Sequence, residues 1–408
     1  MEIAFIHPSW PGDEGTGATH TATQVVTGLS NRGHNVTVYC TEKPPKERQE
    51  PSGLELEYIY LPDFPPHTNT KLNRALKSRV EEFDKYDVIN CYLSTVIPAM
   101  SYIGQRTSSA VGITLNAYGA VCPKNDLLYM DEEKCTQKSL FRCSKCVSLT
   151  SSDHDEFSTP YRIVSRLGNL RLLQDKNIDT SHIDFFRSPS GHVKSNYVDF
   201  GFPADKIHVI PHPLNETFRM EHRSNFNSPY NILYVGYLEK QKGVDKLIPI
   251  LSKLKEQVDE KVSLSIVGKG GLRTRMEQQA HDLSVRDSVD FMGFVPNEKL
   301  PTIYANHDLF IYPGIWDEPL ARVYLEALAT GTPIISSDYG DIRSILGNGG
   351  VITDGTVEGF VSAISDIITN KRFDQISEDA KLKSNEYQAD QVLPKIEKVY
   401  STASEIDE

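Results

Sequence analysis

The sequence predicts an α/β protein of two doubly wound parallel-sheet domains facing one cleft. Three observations predict it. Short apolar runs of strand type alternate with helical patterns along the chain, an order that implies parallel sheets. At 408 residues the chain is too long for one core, so two domains are expected. Several strands run into glycine-containing turns that open helices, where ligands bind in doubly wound sheets. The content of 39% hydrophobic and 24% charged residues fits a soluble globular protein. A net charge of −12 argues against nonspecific nucleic-acid binding, which needs clustered Lys and Arg. No apolar run reaches the roughly 18 residues of a spanning helix. The opening MEIAFIHPSW reads as a first strand and not as a leader. Six cysteines are too few for a secreted disulfide scaffold and fit a reducing cytoplasm.

Taken in order, Ile3 to Ile6 is a buried-strand pattern. It runs into PSWPGDEGTGATH, with Gly12, Gly15 and Gly17, and then a helical pattern to Asn31. Strand, glycine loop and helix let a backbone approach a phosphate or sugar closely, although many such loops are only turns. Val36 to Cys40, Asp87 to Cys91 and Val111 to Leu115 supply further strands. Lys71 to Lys85 places Leu72, Ala75, Leu76, Val80 and Phe83 on one helical face, with basic residues elsewhere. Two readings stand: a helix resting on an anionic membrane, or an ordinary surface helix. Cys122, Cys135, Cys143 and Cys146 fall within 25 residues, the last two as C-x-x-C. Four thiolates suit a structural zinc, and free thiols are the other reading. No catalytic metal is expected, because four cysteines around one ion leave no open position. Ile183 to Arg187 and Ile207 to Pro211 complete the first domain, read as residues 1–212, and 213–229 reads as a linker.

The second domain is read as 230–385, followed by a C-terminal helix over 386–408 that packs back on the first domain. Asn231 to Gly236 is a strand, and the turn after it carries Lys242, which can neutralise a diphosphate or simply be solvated. Ser263 to Val267 is closed by Gly268, and Val289 to Met292 and Leu309 to Tyr312 follow. The last of these delivers the chain to WDEPLARVYLEALATG, Trp316 to Gly331, which carries Glu318 and Glu326 eight positions apart. Pro319 suits the first turn of a helix and Gly331 its end. The expectation is Glu318 at the helix mouth and Glu326 two turns inside, roughly 12 Å apart along the axis. The N–H groups of Leu320, Ala321 and Arg322 would then favour a phosphate between them.

The ordered set of YVGYLEKQKGVDKLI, FMGFVPNEKLPTIYANHDLFIYP and the E-x7-E stretch EPLARVYLEALATGTPI, with LSNRGHNVTVYC near the start, resembles the retaining GT-B glycosyltransferases of glycosyltransferase family 4. The resemblance covers nearly the whole chain. It implies a hexosyltransferase that uses a UDP- or GDP-linked sugar and a glycan or lipid-linked acceptor, with peripheral contact at the cytoplasmic membrane face. It also implies site roles. Glu318 accepts hydrogen bonds from donor-sugar hydroxyls, and Glu326 holds the ribose. Lys242 faces the diphosphate with the backbone of Leu320 and Ala321. Arg322, Gly236, Tyr237 and Gly268 line the donor, and Gly15 and Gly17 close over the diphosphate. Asn116 and His20 lie on the acceptor side. The configuration at the anomeric carbon is retained by front-face attack, with a diphosphate oxygen taking the acceptor proton and no enzyme nucleophile. Two departures stand out: Tyr237 where the family carries Arg, with Arg322 as the substitute charge, and Asn116 where it carries His. They leave open a non-catalytic sugar-nucleotide-binding homologue, or a nucleotide-sugar epimerase.

Overall fold

The structure is a computed structural model that describes residues 1–12, 17–42, 52–62, 68–150, 159–174, 178–220 and 226–405. The chain divides into two compact units, one of Met1–Pro213 with Ala389–Glu408, the other of Leu214–Gln388. Each holds an all-parallel sheet. Every strand expected from the sequence is present within a residue or two of its expected ends.

In the first unit β1 (Glu2–His7), β2 (Asn35–Cys40), β3 (Leu54–Tyr58), β4 (Val88–Cys91) and β5 (Ala110–Thr114) precede a two-stranded hairpin, β6 (Leu128–Tyr129) and β7 (Glu133–Lys134); β8 (Phe185–Ser188) and β9 (Ile207–Val209) return to the sheet. The strand order is β3-β2-β1-β4-β5-β8-β9. The central strands are buried on both faces, as the unbroken apolar character of Ile3, Ala4, Phe5 and Ile6 requires. β3 alternates instead, with Glu55 and Glu57 exposed between half-buried apolar residues, because it forms an edge. The helices of this unit are α1 (Gly17–Asn31), α2 (Thr68–Ser78), α3 (Val80–Phe83), α4 (Ile97–Gly104), α5 (Leu140–Thr150), α6 (Thr159–Leu172) and α7 (Gly191–Asp199).

Residues 71–85 do not form the single amphipathic helix expected of them. The helix breaks at Arg79, whose φ of −111° and ψ of 18° leave the helical region, and α3 begins after it. Leu72, Leu76 and Phe83 are 1%, 0% and 0% exposed. That apolar face is used up in the unit's own core, so it cannot also bury itself in a bilayer. Among the described residues no helix is long and apolar enough to cross a membrane.

The second unit carries β10 (Tyr230–Val235), α8 (Leu247–Gln257), β11 (Val262–Val267), α9 (Arg273–Asp282), β12 (Val289–Gly293), α10 (Leu300–Ala305), β13 (Leu309–Tyr312), α11 (Arg322–Thr330), β14 (Ile334–Ser337), α12 (Ile342–Leu346), β15 (Gly350–Thr353), α13 (Val357–Thr369) and α14 (Phe373–Ser384). Its order, β12-β11-β10-β13-β14-β15, is doubly wound, with the switch point between β10 and β13. Leu214 and Phe218, in the stretch read as a linker, are buried in this unit's core.

The final helix, α15 (Ala389–Glu405), belongs to the first unit. Val392, Leu393, Ile396 and Tyr400 are buried in the core that α1 also builds. Arg32 Nε and His34 Nε2 reach Glu397 Oε1 at 2.7 and 2.9 Å. Gly28 permits this approach, since a Cβ there would lie 2.5 Å from Leu393.

Candidate functional site

The carboxyl ends of β10 and β13 bring together residues far apart in sequence. Glu318 Oε2 accepts three hydrogen bonds: from Lys242 Nζ at 2.5 Å, the Tyr312 hydroxyl at 2.7 Å and Trp316 Nε1 at 2.9 Å. The Lys242 ammonium also lies 5.7 Å from the Tyr312 ring centroid and 5.3 Å from that of Trp316. One carboxylate oxygen is thus held by a cation and two neutral donors, which fixes its position for further partners.

The turn that presents Lys242 depends on Gly243. Its φ is +67°, and a Cβ there would lie 1.8 Å from the Pro313 carbonyl oxygen, so only glycine allows the β10 turn to lie against the loop after β13. Ile315 N–H donates to Gln241 O at 3.0 Å and joins the same two segments. Gly268 is equally constrained: at φ +144°, a Cβ would meet Gly236 O at 1.8 Å. Tyr237 is 45% exposed, beside Gly236 at the end of β10.

Two expectations about the organising stretch need correction. The helix starts at Arg322, with Ala321 extended at its N-cap (φ −71°, ψ 126°). Pro319 is therefore in the loop and not in the first turn, Glu318 stands before the helix, and Glu326 lies in its second turn. Of the three amides expected at the helix mouth, only that of Arg322 belongs to the first turn. Leu320 and Ala321, which precede the helix, are 6% and 7% exposed and so are seated in the core.

Glu326 is 3% exposed. The Tyr304 hydroxyl donates to its Oε2 at 3.3 Å, and Arg322 Nε stands 3.7 Å from Oε1. Burial raises the Glu326 pKa, and Arg322 and Tyr304 pull against that rise. Arg322, expected to replace the charge missing at Tyr237, is instead buried against Glu326. Sequence reasoning missed Tyr312, Trp316 and Tyr304. Trp316, two residues before Glu318, was the one local signal; Tyr312 reaches Glu318 from the end of β13, and Tyr304 reaches Glu326 from α10.

In the first unit the matching strand ends hold His7, Tyr92 and Asn116. The Tyr92 hydroxyl donates to Asn116 Oδ1 at 3.1 Å, and its ring meets the His7 ring edge-on at 5.1 Å. His20 is half-buried in α1, Gly17 opens that helix, and Gly15 lies outside the described residues. His7 was not singled out from the sequence. Burial lowers its pKa to about 4, opposed by the Ser9 backbone. The native state therefore resists protonation that the unfolded chain accepts near pH 6.5. Stability is full above that value and falls by up to about 3 kcal/mol as pH drops from 6.5 to 4. Urea titrations at pH 7.5 and 4.5 are expected to show this loss in the parent and a smaller one in His7→Gln.

The four clustered cysteines do not form the zinc site that their spacing allowed. All six cysteines are free thiols. Among the described residues no group of three or more His, Cys, Asp or Glu is placed to hold a metal ion. The thiols have separate partners: Cys122 lies 3.7 Å from Asp126 Oδ1, Cys135 3.3 Å from Gln137 O, and Cys146 accepts from Met130 N–H at 3.3 Å. Burial pushes the Cys122 thiol up to about 12, which disfavours the thiolate a metal would need.

The two doubly wound sheets define the GT-B fold. A solved structure of Anabaena HepE in complex with UDP superposes with a TM-score of 0.69 at 16% identity, covering 98% of this chain and 100% of that one. Residues 216–388 match the model of the glycosyl transferases group 1 family. An uncharacterized glycosyltransferase of Methanocaldococcus jannaschii is 34% identical over 159 residues, 36% of this chain and 40% of its own length. A GDP-mannose-dependent alpha-(1-6)-phosphatidylinositol monomannoside mannosyltransferase of Mycolicibacterium smegmatis is 32% identical over 163 residues, 38% of this chain and 42% of its own. The chain thus matches about two-fifths of the length of these relatives.

Proposed function

We propose that the chain is a retaining glycosyltransferase that moves a hexose from a UDP- or GDP-linked donor to a glycan or lipid-linked acceptor. The observation that carries this reading is the Glu318 carboxylate, held by Lys242, Tyr312 and Trp316 at the switch point of the second sheet. Glu318 orders the sugar hydroxyls. Lys242, beside it, meets the diphosphate, where negative charge grows as the sugar–phosphate bond breaks. Glu326 takes the ribose hydroxyls. On the acceptor side Asn116 offers hydrogen bonds but no base, which suits a reaction in which a diphosphate oxygen takes the acceptor proton. The UDP of the HepE complex and the GDP-mannose in the mycolicibacterial enzyme's name support the donor class.

A thermal-shift and nucleotide-release screen with UDP-, GDP- and ADP-sugars tests this. A donor at a hundred times its Kd adds about 2.7 kcal/mol, which raises Tm by about 5–10 °C in a domain of this size. UDP or GDP release that depends on added acceptor, with product of unchanged anomeric configuration, is the expected result. Binding of a donor without any release assigns the chain to the non-catalytic homologues, consistent with Tyr237 at the arginine position. A changed sugar without acceptor makes it an epimerase. No shift with any nucleotide sugar overturns the reading.

A further inference from the structure

We propose that Tyr312 and Trp316 are positioning residues that make Glu318 meet the donor sugar through one oxygen: they hold Oε2 and leave Oε1 alone to accept from sugar hydroxyls. The proposal rests on the transferase reading of Glu318 and deepens it. A carboxylate offers about four acceptor sites, about two on each oxygen. Glu318 Oε2 already takes three donors: Lys242 Nζ at 2.5 Å, the Tyr312 hydroxyl at 2.7 Å and Trp316 Nε1 at 2.9 Å. That oxygen is saturated. Among the described residues Oε1 accepts from no protein group, and the side chain is 19% exposed. Two neighbouring sugar hydroxyls therefore cannot straddle the two oxygens. They meet Oε1, which has room for about two donors.

The two neutral donors are the fixed ones. Tyr312 is buried at the end of β13, its ring 4.9 Å from that of Tyr324 and 6.3 Å from that of Tyr234. Burial pushes its pKa well up and the Glu318 charge pushes the same way, so the hydroxyl keeps its proton and donates. A buried hydroxyl is costly to leave without a partner, which ties Glu318 to the sheet. Trp316 grips Glu318 twice: its indole N–H donates to Oε2, and its carbonyl accepts from the Glu318 N–H at 2.8 Å. Lys242 differs. An ammonium has three donors, and this one gives one to Glu318 and keeps the others for a diphosphate. Tyr312 and Trp316 keep Oε2 in place when a bound diphosphate draws on that ammonium.

The test separates the sugar from the nucleotide. Calorimetric titration of the full chain with UDP, UDP-glucose, GDP and GDP-mannose gives, for each pair, the ratio of the nucleotide's Kd to that of its sugar. Tyr312→Phe and Trp316→Phe, each of which keeps a ring and deletes one donor, are expected to lower that ratio at least about fivefold while the bare nucleotide's Kd stays within about twofold of the parent's. Glu318→Ala is expected to lower the ratio furthest, and in its background neither substitution lowers it again, because both act through the missing carboxylate. A ratio that both single variants leave unmoved overturns the proposal. So does a loss shared equally by nucleotide and nucleotide sugar, which a merely structural role would produce, or a further fall in the Glu318→Ala background. Failure of the parent to bind any of the four ligands instead overturns the transferase reading, and this proposal with it.

Discussion

Lys242→Met is expected to lower turnover about 10²–10³-fold while leaving the fold almost unaltered, the loss seen when one preorganised charge partner of a transition state is removed. The substitution keeps most of the aliphatic stem and deletes the ammonium, which lies near the Tyr312 and Trp316 rings. Glu318 then keeps two of its three donors, the Tyr312 hydroxyl and Trp316 Nε1. Its side chain is 19% exposed, so water can replace the third. The cost to stability is therefore that of one partly exposed ion pair, about 1 kcal/mol or less. On the proposed reading the effect on chemistry is larger, because negative charge would grow on the departing diphosphate at the moment of reaction. Donor affinity is expected to fall less than kcat, since the ground-state diphosphate keeps its other contacts. Single-turnover kinetics with saturating donor separates the two. A rate within threefold of the parent would take Lys242 away from the leaving group.

Much of this fold was legible because its central strands are unbroken apolar runs and its turns are glycine-marked. Ile3 to Ile6 and Leu309 to Tyr312 read as buried strands and are. What escaped was short or tertiary in origin. β3 reads LELEY, an alternation too brief to separate from loop, and β15 is four residues beginning at Gly350. The helix after Glu318 starts late, with Ala321 extended at its N-cap and Leu320 and Ala321 buried before it, a tertiary placement that local propensity does not carry. The E-x7-E spacing singled out Glu318 and the strand–helix turn singled out Lys242, and the structure brings those two side chains together. Tyr312 and Tyr304 were not, since a tyrosine in an apolar strand or helix looks like core until the sheet shows what its hydroxyl meets. The cysteine spacing misled for a related reason: C-x-x-C in α5 puts two thiols on one helix face, where burial alone accounts for them.

The second large effect is expected at Arg322 and Glu326. Arg322→Leu leaves a carboxylate buried without its cation, and breaking such a pair destabilises by about 3–5 kcal/mol. The loss has a pH signature. Burial already lifts the Glu326 pKa, with Arg322 opposing; removing Arg322 lifts it further. A carboxyl raised above its unfolded value penalises the native state where the unfolded chain is ionised. The penalty of Arg322→Leu is therefore greatest near pH 8 and shrinks as pH falls through the folded-state value. Arg322→Leu with Glu326→Gln removes both charges, and the glutamine oxygen still accepts from the Tyr304 hydroxyl. That double variant is expected within about 1 kcal/mol of the parent at every pH, because a buried pair adds little over neutral groups of similar shape. Its donor affinity is nonetheless expected to drop about 10–100-fold, the worth of a charged acceptor to a ribose hydroxyl. Urea titrations across pH read the first effect and donor-dependent melting the second. A single variant as stable as the double would mean that the 3.7 Å approach carries no coupling. A stable double variant that binds donor like the parent would remove the ribose from Glu326 and leave the buried pair a purely structural role.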